Sequence, residues 1–196
     1  LSDGTPIVVF YSPGSNSIYL MQKHAAGWDK TQIVSDITAV GGLDVAVSPN
    51  DDIVVAYNDS ANHSLYIVKN DVLTATGKNG WAIMLIDDLG DVGRSPEIAF
   101  NDDGSFYIGY IDAANGKVKV ALVNGGVVEI ETVPTNAIVS MFASISVKKI
   151  DGLPVVAFYD SAARALMVST RTGEGWNTEL VDNNGIVGLF CKVSAS

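Results

Sequence analysis

An apolar run ending in an aromatic, a short polar turn and a second apolar run recur four times in this chain. The copies read PIVVFYSPGSNSIYLMQK from Pro6, DIVVAYNDSANHSLYIVKN from Asp52, SFYIGYIDAANGKVKVAL from Ser105 and PVVAFYDSAARALMVSTR from Pro154. Aligned on these copies, Phe10, Tyr57, Tyr110 and Phe158 share one register at intervals of 47, 53 and 48 residues. Ser12, Asp59, Asp112 and Asp160 follow two positions later. A Gly-Trp pair then closes three of the units, at Gly27-Trp28, Gly80-Trp81 and Gly175-Trp176, with Gly126-Val127-Val128 in its place in the third. Self-similarity at this period is the signature of a stacked or circular repeat, because one such unit cannot cover its own apolar faces.

Each unit reads as four strands. In the second they fall at 43–47, 53–58, 65–69 and 81–86, with a longer insert ahead of the Trp than in the other units. The connections are rich in Asn, Asp and Gly, as tight antiparallel turns require. The second strand of each unit is apolar at nearly every position, so both of its faces must be covered. The fourth alternates: Lys30, Gln32, Thr178 and Glu179 interleave with Ile33, Leu180 and Val181, as expected of an outer strand with one wet face. No amphipathic helical stretch is present.

A four-stranded unit with buried middle strands and a polar outer strand is a propeller blade. The predicted fold is therefore an all-β propeller of four blades, each of four antiparallel strands. The blades are expected at 189–196 plus 1–35, 43–87, 96–134 and 143–182, all within a single domain. The last segment, LFCKVS from Leu189, matches the inner strands LDVAVS and ASISVK, and no second strand follows it. It is expected to pair into the blade that the N-terminus begins, closing the ring as a monomer. A fragment of a larger propeller, or two chains pairing into a larger ring, carries the same repeat arithmetic.

The residues VVAYND, GYID and VAFYD, with the three Gly-Trp pairs, give the whole chain a resemblance to secreted bacterial propeller repeats. Ser12 and Pro13 depart from that pattern in the first unit, and the third lacks its Trp. The resemblance implies a binding or scaffolding module. Fucose-binding and other propeller lectins are similar in blade size and Gly-Trp placement. The Arg, Glu and Trp set that holds the sugar in the fucose-binding family has no repeated equivalent here.

Composition narrows the partners. A net charge of −10 with 12 Lys and Arg argues against nucleic acid, since phosphate recognition needs clustered positive charge. Mean hydropathy is positive, yet no apolar stretch approaches the roughly 18 residues of a spanning helix, so membrane insertion is not expected. The single Cys191 rules out an internal disulfide and reads as a small buried side chain.

Candidate site residues are each weighed against a packing role. Asp59, Asp112 and Asp160 could ligate a cation or sugar hydroxyls on one face of the ring, but an Asp at a turn more often accepts backbone N–H groups two residues on. Trp28, Trp81 and Trp176 could stack on sugar rings; a periodic Trp more often wedges between sheets. Around the axis, the inner strands align Asp44, Glu97, Ser144 and Lys192 at the channel mouth, either as a polar site or as a self-satisfied ion-pair network. Arg94 is the candidate for anion recognition. His24 and His63 lie in turns of different units and are too few for a metal centre. There is no nucleophile elbow, phosphate-cradling glycine loop or Cys-x-x-Cys, so no catalytic residue, metal or cofactor is assigned. The expectation is a non-catalytic recognition or scaffolding module outside the cytoplasm (extracellular, cell-surface or periplasmic), with a protein or glycan partner. The alternatives are a lectin with one site per blade, and a propeller hydrolase or lyase with acids at the channel mouth.

Overall fold

The computed structural model describes residues 1–70 and 80–196. Among these residues the chain is almost entirely antiparallel strand. The first sheet holds β1 (Ile7–Ser12), β2 (Ser17–His24) and β3 (Gly27–Val34). The second runs through β4 (Val40–Val47), β5 (Ile53–Asp59), β6 (Ser64–Asn70) and β7 (Trp81–Asp87). The third comprises β8 (Arg94–Phe100), β9 (Phe106–Asp112), β10 (Lys117–Asn124) and β11 (Val127–Thr132). The fourth comprises β12 (Ala143–Val147), β13 (Pro154–Asp160), β14 (Ala165–Thr172) and β15 (Gly175–Asp182). Strands neighbour one another in chain order within each sheet. This is a four-bladed β-propeller. The long insert expected ahead of Trp81 lies outside the described residues.

The second strand of each complete blade is the centre of its packing. Every residue of β5, β9 and β13 is buried. Because side chains alternate across a strand, Val55 and Tyr57 pack towards the first sheet while Val54 and Ala56 pack towards the third. The same alternation gives three apolar clusters, one at each junction of consecutive sheets. At the third junction Gly109 is part of the fit, because a Cβ there would lie 3.0 Å from the Cβ of Ile145. The hairpin turns after the second strands each place one residue in the left-handed region: Asn16, His63, Gly116 and Arg164, with φ of 48°, 56°, 61° and 57°. Arg164 is not among the residue types that favour that region, so there the turn shape is imposed by the flanking pairing.

A hydrogen-bond staple joins successive inner strands around the axis. Asp44 Oδ2 accepts the Ile98 N–H at 2.8 Å, and Glu97 Oε2 accepts the Ile145 N–H at 3.3 Å. Ser144 Oγ continues the series by accepting the Val193 N–H at 3.2 Å. Thus the C-terminal segment takes the next inner position in line, at the register expected from the alignment of Asp44, Glu97, Ser144 and Lys192.

The expected pairing of 189–196 into the first blade is not made. The first sheet has three strands, and residues 183–196 form none. The physical reason is that the sheets carrying the segment do not pack on the first: Ser144 and Ser146 offer hydroxyl acceptors to the N–H groups of Val193 and Ala195, Lys192 pairs with Glu97, and the Phe190 ring sits 4.0 Å from that of Phe142. These contacts hold the segment to the fourth and third sheets. Among the described residues, no buried cluster joins the fourth sheet to the first. The outward face of the first sheet is correspondingly bare: Val8 is 48% exposed where its equivalent Val55 is 0% exposed.

Candidate functional site

The site grows from the junction of the third and fourth blades. In β11 the residues Glu129 and Glu131 alternate with Ile130, as the outer strand of a blade should. On the next blade, the hairpin from β14 to β15 pairs Arg171 with Trp176. These three side chains meet across the junction. Arg171 Nε donates to Glu131 Oε2 at 2.9 Å and Arg171 Nη2 to Glu131 Oε1 at 3.0 Å, a two-pronged pair. The Trp176 indole N–H donates to Glu131 Oε2 at 2.7 Å. Hydrogen bonding from Arg171 holds the Glu131 carboxyl below its ordinary range against the effect of burial, with Trp176 adding to it. The acid is therefore ionised at neutral pH.

Beside this cluster lies a cavity of about 250 Å³, walled by Tyr107, Val120, Leu122, Leu153 and Pro154, with Arg171, Trp176 and the Thr172-Gly173 turn at its edge. It shares Tyr107, Leu122 and Leu153 with a second cavity of about 460 Å³ that continues along the same junction to Asn101, Asp103, Lys148 and Asp151. Together they form one groove between the blades. Asn101 Oδ1, in its wall, is a buried acceptor without a hydrogen-bond partner. Burial, with the nearby Glu131 charge, pushes the Tyr107 hydroxyl up, so it remains a neutral donor.

The chemical capacity of the cluster can be counted. An ionised carboxylate offers about four lone-pair sites and a guanidinium five N–H donors. Glu131 accepts three hydrogen bonds, and Arg171 Nη1 makes one further bond, to the Thr172 carbonyl. Both groups therefore retain capacity beside an apolar wall, the combination found in small-molecule sites, where a few polar groups fix orientation.

The residues singled out from sequence fall elsewhere, Trp176 excepted. Asp59 Oδ1 accepts the N–H groups of Ala61 and Asn62, Asp112 Oδ1 that of Asn115, and Asp160 Oδ1 those of Ala162 and Ala163. All three acids are buried and shape the turns after the second strands. Trp81 is 7% exposed in the cluster between the first two sheets, whereas Trp28 is 44% exposed with Lys23 Nζ 5.6 Å from its ring. Asp44 and Glu97 staple the inner strands, and Lys192 pairs with Glu97. Burial raises the Asp44 carboxyl, with the Ile98 N–H working in the opposite direction. Arg94 is turned to Asp91, which His63 also approaches at 3.3 Å. No group of three or more metal-ligating side chains forms among the described residues. No helix among them is long and apolar enough to cross a membrane.

Sequence comparison of repeat units does not reach Glu131, Arg171 or Tyr107. The set is assembled from two blades and occurs at one junction, so it leaves no periodic trace. The available signal was local: an acid on the inward-facing register of an outer strand, and an Arg directly paired with a Gly-Trp.

No protein-family model and no curated protein sequence matches the chain. Solved structures do. The fucose-specific lectin from Aleuria aurantia superposes with a TM-score of 0.61 at 14% identity over 89% of this chain and 55% of that one. The α-L-arabinofuranosidase from Fusarium graminearum, solved with an iminosugar inhibitor, gives 0.55 at 14% identity over 98% of this chain and 61% of its own. The exo-β-1,3-galactanase from Phanerochaete chrysosporium gives 0.53 at 14% identity over 91% and 49%. The chain thus spans about half the length of these proteins, and at such identity the likeness concerns the fold.

Proposed function

We propose that this chain is a saccharide-recognition module that seats a sugar unit in the groove between its third and fourth blades. The observation that carries this reading is the convergence of Glu131, Arg171 and Trp176 on one cavity. A vicinal pair of sugar hydroxyls can donate to the remaining lone pair of Glu131 and accept from the remaining N–H groups of Arg171. The apolar ring face then lies against the Tyr107, Leu122 and Leu153 wall. The second cavity along the junction gives room for a further unit, with Asn101 Oδ1 as an acceptor for its hydroxyl.

A lectin and two glycan-cleaving enzymes among the similar folds are consistent with this reading. Binding without hydrolysis is favoured because Asp44 and Glu97, the acids at the channel mouth, are each committed to a backbone N–H of the adjacent strand. A glycan-binding role also fits a protein working outside the cytoplasm, where glycans are displayed.

The test is calorimetric titration with L-fucose, L-arabinose and D-galactose, backed by a glycan array. One saturable site per chain is expected, and Arg171→Ala and Glu131→Gln should each weaken it by more than tenfold, since a hydrogen bond to a charged group contributes about 1.5–3 kcal/mol. Blank titrations together with a blank array would remove the reading. So would binding that both substitutions leave intact.

A further inference from the structure

Charge along the groove is uneven, and in the first cavity the excess falls on one side chain. Glu129 and Glu131 both line that cavity, and among the described residues Arg171 is the one cation beside them. Arg171 is committed in two prongs to Glu131, which leaves that pair neutral. Glu129 makes no hydrogen bond or ion pair among the described residues. The first cavity therefore holds one carboxylate without compensation, and it stands exposed at the rim.

Strand geometry sets where that carboxylate stands. Glu129 and Glu131 lie two residues apart on β11, so they share one face of the sheet. Their cross-strand partners, Leu122 and Val120, line the same cavity. Two residues of strand span roughly 7 Å. A sugar held by a vicinal hydroxyl pair at Glu131 and Arg171 thus presents the substituent on its neighbouring ring carbon to Glu129.

The second cavity has the same bias. Its charged lining is Asp102, Asp103 and Asp151 against Lys148 and Lys149. Lys148 is bound to Asp151 and to the Arg171 carbonyl, and the buried Asn101 Oδ1 lacks a donor. Lys149 is exposed and lines the second cavity, not the first. In the first cavity a ligand carboxylate meets an unpaired acid, whereas a ligand ammonium neutralises it.

We propose that the groove selects an amino sugar, a hexosamine with a free protonated amine, and that Glu129 is the residue that reads the ammonium. This inference rests on the saccharide reading above and narrows it to a ligand class. The hydroxyl pair stays on Glu131 and Arg171, the ring face lies against Tyr107 and Leu122, and the ammonium donates to the Glu129 carboxylate. A hydrogen bond between two charged groups is shorter and stronger than one from a hydroxyl, so the amine adds affinity that a hydroxyl on the same carbon does not.

Calorimetry at about pH 6, where an amine titrating near about 8 is charged, compares D-galactosamine with D-galactose, N-acetyl-D-galactosamine and D-galacturonate. Galactosamine is expected to bind about fivefold tighter than galactose, the upper range for an ion pair in contact with solvent. The neutral acetylated sugar should gain nothing over galactose, the uronate should bind more weakly, and added salt should shrink the advantage of the amine. The readout for Glu129→Gln is the ratio of the galactosamine and galactose affinities, which should fall to unity with circular dichroism unchanged. Galactose binding that the amine does not improve, a preference shared by the acetylated sugar, or a preference that survives Glu129→Gln would each overturn the inference and leave the saccharide reading standing. Blank titrations with all four sugars would remove both.

Discussion

Glu131 and Arg171 are only partly covered, with side chains 47% and 26% exposed, and this separates their two roles. An ion pair in contact with solvent contributes about 0–1 kcal/mol to folding. Arg171→Ala is therefore expected to leave the melting temperature within a few degrees while weakening the proposed saccharide binding by more than tenfold, so calorimetric scanning of the variant distinguishes lost recognition from lost structure. The opposite holds for Asp87. Its carboxylate, almost fully buried between the second and third blades, accepts the Tyr110 hydroxyl at 2.7 Å and the Lys119 ammonium at 3.0 Å. Asp112 lies 3.5 Å from the same ammonium. Removing Asp87 leaves the Lys119 ammonium to Asp112 alone and the buried Tyr110 hydroxyl without its acceptor, and Asp87→Ala should cost about 1–3 kcal/mol in urea denaturation.

The same residue predicts a pH dependence. Burial alone would raise the Asp87 carboxyl, but the Leu89 N–H, Tyr110 and Lys119 outweigh it and the net shift is downward. The folded state then binds its proton less readily than the unfolded chain, where an Asp titrates near about 3.9. Its contribution is fully present above that value and is lost as pH falls through the folded-state value. Unfolding free energy measured from neutral pH into this acid range should fall more steeply in wild type than in Asp87→Asn.

At the scale of the element, the all-apolar second strands announce a blade core in the sequence because burial on both faces leaves no polar position. The Gly-Trp repeat is also legible, but its environment is not: the same motif gives a buried Trp81 and an exposed Trp28, according to whether another sheet covers that face. Trp81→Ala is expected to cost about 3–5 kcal/mol, and Trp28→Ala far less, as chemical denaturation would reveal. The turn acids Asp59, Asp112 and Asp160 could be aligned from sequence, and hydrogen bonding to the following N–H groups was the expected alternative to ligation. Glu131 and Tyr107 were hidden for a geometric reason: each sits on a strand whose pattern describes its own sheet, while the groove belongs to two sheets at once.

At the scale of the whole molecule, blade number and strand order follow from the repeat, whereas closure does not. LFCKVS has the composition of an inner strand, yet hydroxyls of Ser144 and Ser146 and the Glu97 carboxylate capture it on the fourth and third sheets. Closure requires the fourth sheet to pack on the first, which it does not do among the described residues, and an alignment of apolar runs carries no information about that. The staple of Asp44, Glu97 and Ser144 could have been suspected from their shared register, since three polar groups at the start of inner strands need partners.

The proposed recognition site can be tested through its own indole. The chain has three Trp residues, so an amide-correlation spectrum should give three well-separated side-chain signals, with Trp176 N–H bonded to Glu131 and Trp81 enclosed between sheets. Titration with the saccharide selected by array is predicted to move the Trp176 signal saturably, at the calorimetric affinity, while Trp81 stays in place. A Trp176 signal that does not move while the sugar binds would contradict the account.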